Sequence, residues 1–146
     1  MKITFLPLLL GVLLLFSSCQ KKQTGNSSVY MTANIKPKTE SSSSVLYDQA
    51  NIVTKKQNRN LSIDGLNDNS QEIQIILKNY SGVGTYQLDS SGLGATGIYT
   101  SDLINFKKSI SGTVTITNTA LYIIGSYSFI CADSTVVSEG RFEVLP

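Results

Sequence analysis

Residues 125–131 read Gly125-Ser126-Tyr127-Ser128-Phe129-Ile130-Cys131, and every second side chain after the glycine is apolar. Neighbouring side chains of a β-strand point to opposite faces, so Tyr127, Phe129 and Cys131 lie on the same face. The pattern predicts a half-buried strand. It also places the Cys131 thiol in the core beside two aromatic rings, as a structural cysteine and not as a reactive or metal-binding one.

The same pattern, a glycine followed two and four residues later by apolar side chains, occurs three more times along the chain. Glycine inside a strand marks a bulge, a bend or the close approach of another group. We expect these glycines to lie at one level of the sheet, where it curves. The alternative is that the missing side chains open one end of the domain to a ligand. The other three copies are Gly84-Thr85-Tyr86-Gln87-Leu88, Gly112-Thr113-Val114-Thr115-Ile116 and Gly140-Arg141-Phe142-Glu143-Val144.

Segments rich in Val, Ile, Thr, Tyr and Phe recur between clusters of Gly, Ser, Asn and Asp, which is typical of an antiparallel all-β chain. Connections such as 80–83 and 133–135 are short, so we expect neighbouring strands to pair as hairpins. The predicted fold is a β-sandwich or a partly open barrel of about eight strands, with a loop at 41–44. The predicted strands are 29–36, 45–55, 60–66, 72–79, 84–89, 113–118, 121–132 and 136–145.

The N-terminal segment has the pattern of an export signal. Lys2 precedes an apolar run from Ile3 to Phe16 that is shorter than the roughly 20 residues of a membrane-spanning helix. The following Leu15-Phe16-Ser17-Ser18-Cys19 resembles the lipobox of bacterial lipoproteins. This resemblance implies cleavage between Ser18 and Cys19 and acylation of Cys19.

The predicted organisation is therefore a signal peptide at 1–18, a lipidated Cys19 with a polar tether at 19–28, and a single all-β domain at 29–146. Several acyl chains on one residue hold a protein on a membrane almost permanently, so the expected partner of Cys19 is the membrane. Basic residues follow directly at Lys21 and Lys22. Surface-directed lipoproteins of this kind often carry acidic residues there, so we expect the periplasmic leaflet of the outer membrane and not the cell surface.

The chain resembles the small lipoproteins abundant in Bacteroidota, a family that carries no assigned biochemical activity. The resemblance rests on Met31-Thr32-Ala33, Gly84-Thr85-Tyr86, Ser111 to Thr117, Gly125 to Phe129 and Gly140 to Val144. It implies a setting in the cell envelope and a β-sandwich-like fold, and it carries over no catalytic residues.

Several kinds of chemistry are excluded by composition. The sequence has no histidine, and its only cysteines are Cys19 and Cys131, so neither a Ser-His-Asp triad nor a zinc site of Cys and His can form. Lys and Arg number twelve against ten Asp and Glu, and loss of Lys2 brings the mature chain nearer to neutrality, which does not suggest a nucleic-acid partner. We expect a non-catalytic binding or structural module without a cofactor, with glycans and envelope proteins as the candidate partners. An inhibitor-like protein or a subunit of an outer-membrane complex is the alternative.

Two short motifs remain as weaker candidates. Asp64, Asp68 and Glu72 gather oxygen ligands around a predicted turn and are candidates for calcium or, as a carboxylate pair, for hydrolysis; a plain solvated turn is the alternative. Residues 92–97 match the glycine spacing of a dinucleotide-binding loop, but no helix follows, so a simple glycine-rich loop is favoured. Tyr80, Tyr99 and Tyr122 are the tyrosines expected to be partly exposed.

Overall fold

The computed structural model describes residues 29–38, 45–49 and 51–146. The predicted signal peptide, the lipobox with Ser18 and Cys19, the tether and the loop at 41–44 lie outside the described residues. Within the part that is described, no helix is long and apolar enough to cross a membrane. The strands in chain order are β1 (Tyr30–Lys36), β2 (Val45–Gln49), β3 (Asn51–Gln57), β4 (Asn60–Leu66), β5 (Glu72–Leu77), β6 (Gly84–Asp89), β7 (Ala95–Thr100), β8 (Phe106–Asn118), β9 (Ile123–Cys131) and β10 (Val136–Val144).

All ten strands belong to one sheet, in the order β2-β1-β10-β9-β8-β6-β7-β5-β4-β3. Strands β2 and β3 therefore lie at its two edges, yet only one residue separates them in the chain. Successive Cα atoms lie about 3.8 Å apart, so Gln49 and Asn51 can be separated by no more than roughly 7.6 Å. The sheet must curl until its edges approach each other. The result is a nearly closed, barrel-like sheet, which confirms the predicted all-β sandwich or partly open barrel.

Strand β8 forms a corner of this sheet. Its first residues pair with the end of β7, and residues 111–116 pair with β6. The register against β9 shifts between Ser109 and Ser111, and Gly112 has a φ of +150°. A Cβ atom at Gly112 would lie 2.3 Å from the carbonyl oxygen of Ser128, so only glycine fits at this bend.

One hydrophobic cluster fills the inside of the curved sheet. The chain alternates in and out along β9, where Tyr127, Phe129 and Cys131 are all buried, as the sequence predicts. Aromatic rings cover core-facing glycines on neighbouring strands. The Phe142 ring lies against Gly125, and the Tyr127 ring lies against Gly140. The predicted close approach is therefore present at these two glycines, whereas Gly84 has no neighbour where its Cβ would be.

The strand predictions need four corrections. Residues 95–100 form β7, so the motif at 92–97 is a loop only in its first half. Strand β8 begins at Phe106 and not at Thr113, because its first part pairs with β7. The predicted strand 45–55 covers two strands, β2 (Val45–Gln49) and β3 (Asn51–Gln57), which lie at the two edges of the sheet.

The fourth correction concerns the connection at 80–83. It does not close a hairpin, since β5 pairs with β7 and β6 pairs with β8. In contrast, β9 and β10 do form the predicted hairpin around residues 133–135.

Candidate functional site

A groove of about 640 Å³ lies on the outer face of the sheet and crosses β1, β9 and β10. Two irregularities shape it. The pairing of β10 with β9 shifts between Val137 and Gly140, and the pairing of β1 with β10 shifts between Thr32 and Asn34. Such bulges bend a strand and increase its local twist, which turns a flat sheet face into a concave one. The groove is lined by Thr32, Ala33, Asn34, Leu46, Thr113, Ser126, Tyr127, Ser128, Glu139, Gly140 and Arg141.

The bulge on β10 aims the Glu139 side chain across the groove. Glu139 has a φ of +53°, the left-handed conformation that a bulge residue adopts. The Asn34 side-chain amide donates a hydrogen bond to the Glu139 carboxylate at 2.5 Å. The same carboxylate and amide keep further lone pairs and a second N–H, so the pair can bind a ligand as well as each other.

Next to this pair, strand register sets a row of polar side chains across three strands. Arg141 pairs with Ser126 on β9 and with Thr32 on β1. The Arg141 side chain is exposed, and the guanidinium group carries five N–H donors. Below the row, the Tyr127 hydroxyl donates to the Thr32 carbonyl at 3.1 Å and fixes the floor of the groove.

The groove is therefore equipped to form hydrogen bonds. Hydroxyl, amide, carboxylate and guanidinium groups line one concave face, and its tyrosine is buried beneath them. Its one carboxylate is held by an amide and not by a second carboxylate. This chemistry suits recognition of a ligand with many polar groups, such as a sugar or an extended peptide.

A second, smaller concavity of about 310 Å³ lies at the hairpin between β3 and β4. Its lining includes the apolar Leu61 and Ile76. Asn58 and Arg59, which form the turn of this hairpin, both have positive φ angles.

The structure does not bring Asp64, Asp68 and Glu72 together as a set of acidic ligands. Asp64 and Glu72 lie on the adjacent strands β4 and β5 and occupy one outer face, whereas Asp68 lies in the exposed turn between those strands. Within the described residues, no group of three or more acidic or cysteine side chains is placed to hold a metal ion. Neither concavity described above is lined by any of the three.

The Asp64 carboxylate nevertheless lies near enough to act on Glu72. Burial and then the nearby Asp64 carboxylate raise the pKa of Glu72 above its ordinary value. The Asp64 carboxylate also accepts a hydrogen bond from the Ser62 hydroxyl at 3.0 Å. The pair is what remains of the predicted acidic site.

Cys131 is the buried, structural thiol that the sequence predicts. It is unpaired and fully buried, and its sulfur lies 3.4 Å from the Lys107 carbonyl oxygen. Burial, followed by the negative charge of Asp133, raises the pKa of Cys131 to about 12. The thiolate is therefore scarce at neutral pH, so the side chain is a poor nucleophile and a poor metal ligand.

An ion pair lies beside Cys131 at the start of the β9–β10 hairpin. Lys107 Nζ is 2.8 Å from the Asp133 carboxylate. Partial burial opposes ionisation of Asp133, but hydrogen bonds from Lys107 and Thr135 outweigh it and hold the pKa of Asp133 at about 2. The buried Thr135 hydroxyl donates to the same carboxylate at 3.0 Å. This cluster fastens the β9–β10 hairpin to Lys107 on β8.

The tyrosine predictions are partly wrong. Tyr80 and Tyr99 are both buried. Tyr80 packs against Tyr86, and the Tyr99 hydroxyl accepts a hydrogen bond from the Gln71 side chain. Tyr122 is half-buried, as expected. No stacking platform of exposed tyrosines forms from these three.

Sequence reasoning does not find Asn34, Glu139 and Arg141. Their positions depend on two β-bulges, and a bulge changes which side chains share a face. One signal in the sequence points to them, since Glu139 and Arg141 flank Gly140 in the repeated glycine pattern.

Comparisons of this chain with protein-family models, curated proteins and solved structures find no match.

Proposed function

We propose that this chain is a lipid-anchored protein of the bacterial envelope whose β-domain is a non-catalytic binding module, with the groove across β1, β9 and β10 as its binding face. The observation that carries the binding role is the convergence of Asn34, Glu139 and Arg141 on one concave surface. The anchoring role is supported by the lipobox-like sequence that ends at Cys19.

The ligand class that best fits the groove is a glycan. Hydroxyl groups of a sugar both donate and accept hydrogen bonds, and the groove offers hydroxyls, an amide, a carboxylate and a guanidinium within one surface. The low net charge of the chain is consistent with a ligand that is recognised by hydrogen bonds more than by charge. The position proposed for the protein is the periplasmic leaflet of the outer membrane, because Lys21 and Lys22 follow the lipidated residue.

The binding role is tested with the mature lipoprotein in detergent, screened against a panel of glycans. We expect Asn34→Ala and Arg141→Ala each to weaken binding by about tenfold or more, since a hydrogen bond to a charged group contributes roughly 1.5–3 kcal/mol. Lys108→Ala removes an exposed charge from the outer face outside the groove and is the matched control. Equal affinity in all three variants would place the ligand elsewhere, and turnover of a bound glycan would contradict the non-catalytic role.

A second candidate function is hydrolysis by a carboxylate pair. The observation in its favour is the adjacency of Asp64 and Glu72, with the raised pKa of Glu72 that a general acid needs. Against it, neither residue lines a concavity described above. A hydrolytic activity that disappears in Glu72→Gln and persists in Asp68→Asn would favour this function over the first.

A third candidate is a subunit or inhibitor-like component of an envelope complex. Strand β2 is an edge of the sheet, and Leu46 on it is exposed beside the groove. Edge strands pair readily with other chains. Cross-linking in intact membranes distinguishes this role, since it predicts one protein partner in a fixed ratio and no glycan.

A further inference from the structure

Five adjacent strands, β6, β8, β9, β10 and β1, meet at one end of the sheet. Gly84 at the start of β6 pairs with Ile116 near the end of β8, and Ile123 at the start of β9 pairs with Val144 at the end of β10. The segments that leave these strands carry three large, exposed apolar side chains. Val83 is 63% exposed, Leu121 is 80% exposed and Leu145 is 54% exposed. We call these three residues the apolar end.

The two connections at this end carry no acidic residue. Residues 78–83 and 119–122 contain no Asp or Glu, and Lys78 is their one charged residue. The opposite end of the sheet differs, because its connections carry Asp68, Asp102 and Asp133. Moving acidic groups into a lipid interface is costly, whereas loops without acidic groups and with protruding apolar side chains enter it readily.

The chain enters the domain at the apolar end. Tyr30, the first residue of β1, pairs with Glu143 near the end of β10. Ten residue steps separate Cys19 from Val29, and even a fully extended chain of that length spans no more than roughly 36 Å. An acylated Cys19 therefore holds the start of β1, and with it this end of the sheet, within that distance of the membrane. Strand β8 alone runs for 13 residues from one end to the other, up to about 40 Å of strand.

We propose that the apolar end is a membrane-contact surface, with Val83, Leu121 and Leu145 resting in the headgroup region of the bilayer that holds the lipid anchor. This inference rests on the proposed lipid anchoring of Cys19. It adds an orientation, since the domain stands with β8 rising from the membrane and with the loop at 101–105 far from it.

The opposite end supplies the matched control. Its connection between β7 and β8 exposes Ile104, which is 77% exposed and as large and apolar as Leu121. Asp102 makes this connection acidic as well as apolar. Its carboxylate accepts hydrogen bonds from the backbone N–H groups of Ile104 and Asn105 and therefore lies close to the exposed Ile104. Apolar exposure alone predicts that both ends contact lipid, whereas the proposal predicts contact at one end.

The test uses the full chain, purified as the processed lipoprotein and reconstituted in vesicles of phosphatidylethanolamine and phosphatidylglycerol. Leu121→Cys, Val83→Cys and Ile104→Cys are each labelled with an environment-sensitive fluorophore. Cys131 is buried and Cys19 is acylated, so neither should react with the dye. A ratio of one dye per chain therefore shows that only the introduced cysteine is labelled and that the core around Cys131 is intact. The measured quantity is fluorescence quenching by lipids that carry a nitroxide in the upper acyl chain.

We expect at least threefold stronger quenching at positions 83 and 121 than at position 104. Equal quenching at the three positions, or stronger quenching at position 104, would overturn the inference. The intact mass of the same sample distinguishes a failure of the proposed lipid anchor from a failure of the proposed orientation. A mass without acyl groups would overturn the lipid anchor and this inference together, whereas an acylated chain without the quenching difference would overturn the orientation alone.

Discussion

At the residue scale, the aromatic rings that cover glycines decide the packing of β9 and β10. Phe142 pairs with Gly125 and Tyr127 pairs with Gly140, so each ring occupies the space that a side chain would fill on the neighbouring strand. The rings of Tyr127 and Phe142 lie 6.2 Å apart and are stacked. This arrangement gives the two strands a common, closely packed surface.

A methyl group at either glycine has no room. A Cβ at Gly140 would lie 2.6 Å from the Tyr127 ring, and one at Gly125 would lie 2.6 Å from the Phe142 ring. We expect Gly140→Ala and Gly125→Ala each to lower the free energy of unfolding by about 1–3 kcal/mol through overpacking. Urea unfolding measures this. Gly94→Ala, where the added carbon meets nothing within 4 Å, is the control and should lie within about 0.5 kcal/mol of the wild type.

The Lys107–Asp133 pair makes stability depend on pH in the acid range. The pKa of Asp133 falls from 3.8 to about 2 on folding, so the ionised form favours the folded state. The stabilisation is complete above about pH 4 and is lost as the pH falls towards 2. Because Asp133 is partly exposed, we expect a contribution of only about 1 kcal/mol. Asp133→Asn should flatten the acid limb of a denaturation series between pH 4 and 2. An acid limb as steep as that of the wild type would contradict the role of this pair.

At the scale of the elements, the turn of the hairpin between β3 and β4 places Arg59 in a left-handed conformation that is unfavourable for arginine. Gln57 pairs with Asn60, so Asn58 and Arg59 form a two-residue turn in which both φ angles are positive. A primed turn of this kind strongly favours glycine at its second position. We expect Arg59→Gly to raise the free energy of unfolding by about 0.5–1 kcal/mol. Lys56→Gly, placed inside β3, should lower it instead, and a loss of stability in both variants would contradict this description of the turn.

The elements also show where sequence reasoning succeeds and where it stops. Strict alternation predicts β4 and β9 closely, because each of them buries one face along its whole length, and it also predicts the bounds of β6. The sequence does not predict strand β7, because Gly92, Gly94 and Gly97 together resemble a loop. Gly97 nevertheless lies inside the strand, where the Phe129 ring occupies the space that a side chain would need. The groove is missed for a related reason, as its shape depends on register shifts that no local pattern encodes.

At the scale of the whole molecule, one strand-like segment joins the two edges of the sheet. Strands β2 and β3 are almost continuous in sequence but pair with β1 and β4 respectively. This connection brings the sheet edges together. The groove lies on the outer face of β1, β9 and β10, and the chain enters the domain at the apolar end. The proposed lipid anchor, binding face and membrane-contact surface thus occupy three different parts of the molecule.

Intact-mass analysis of the protein purified from the envelope tests whether this domain is held on the membrane through Cys19. We expect a chain that begins at Cys19 and carries the added mass of acyl chains, and a Cys19→Ala variant that keeps residues 1–18. A chain that begins at another residue, or that begins at Cys19 without acyl groups, would contradict it.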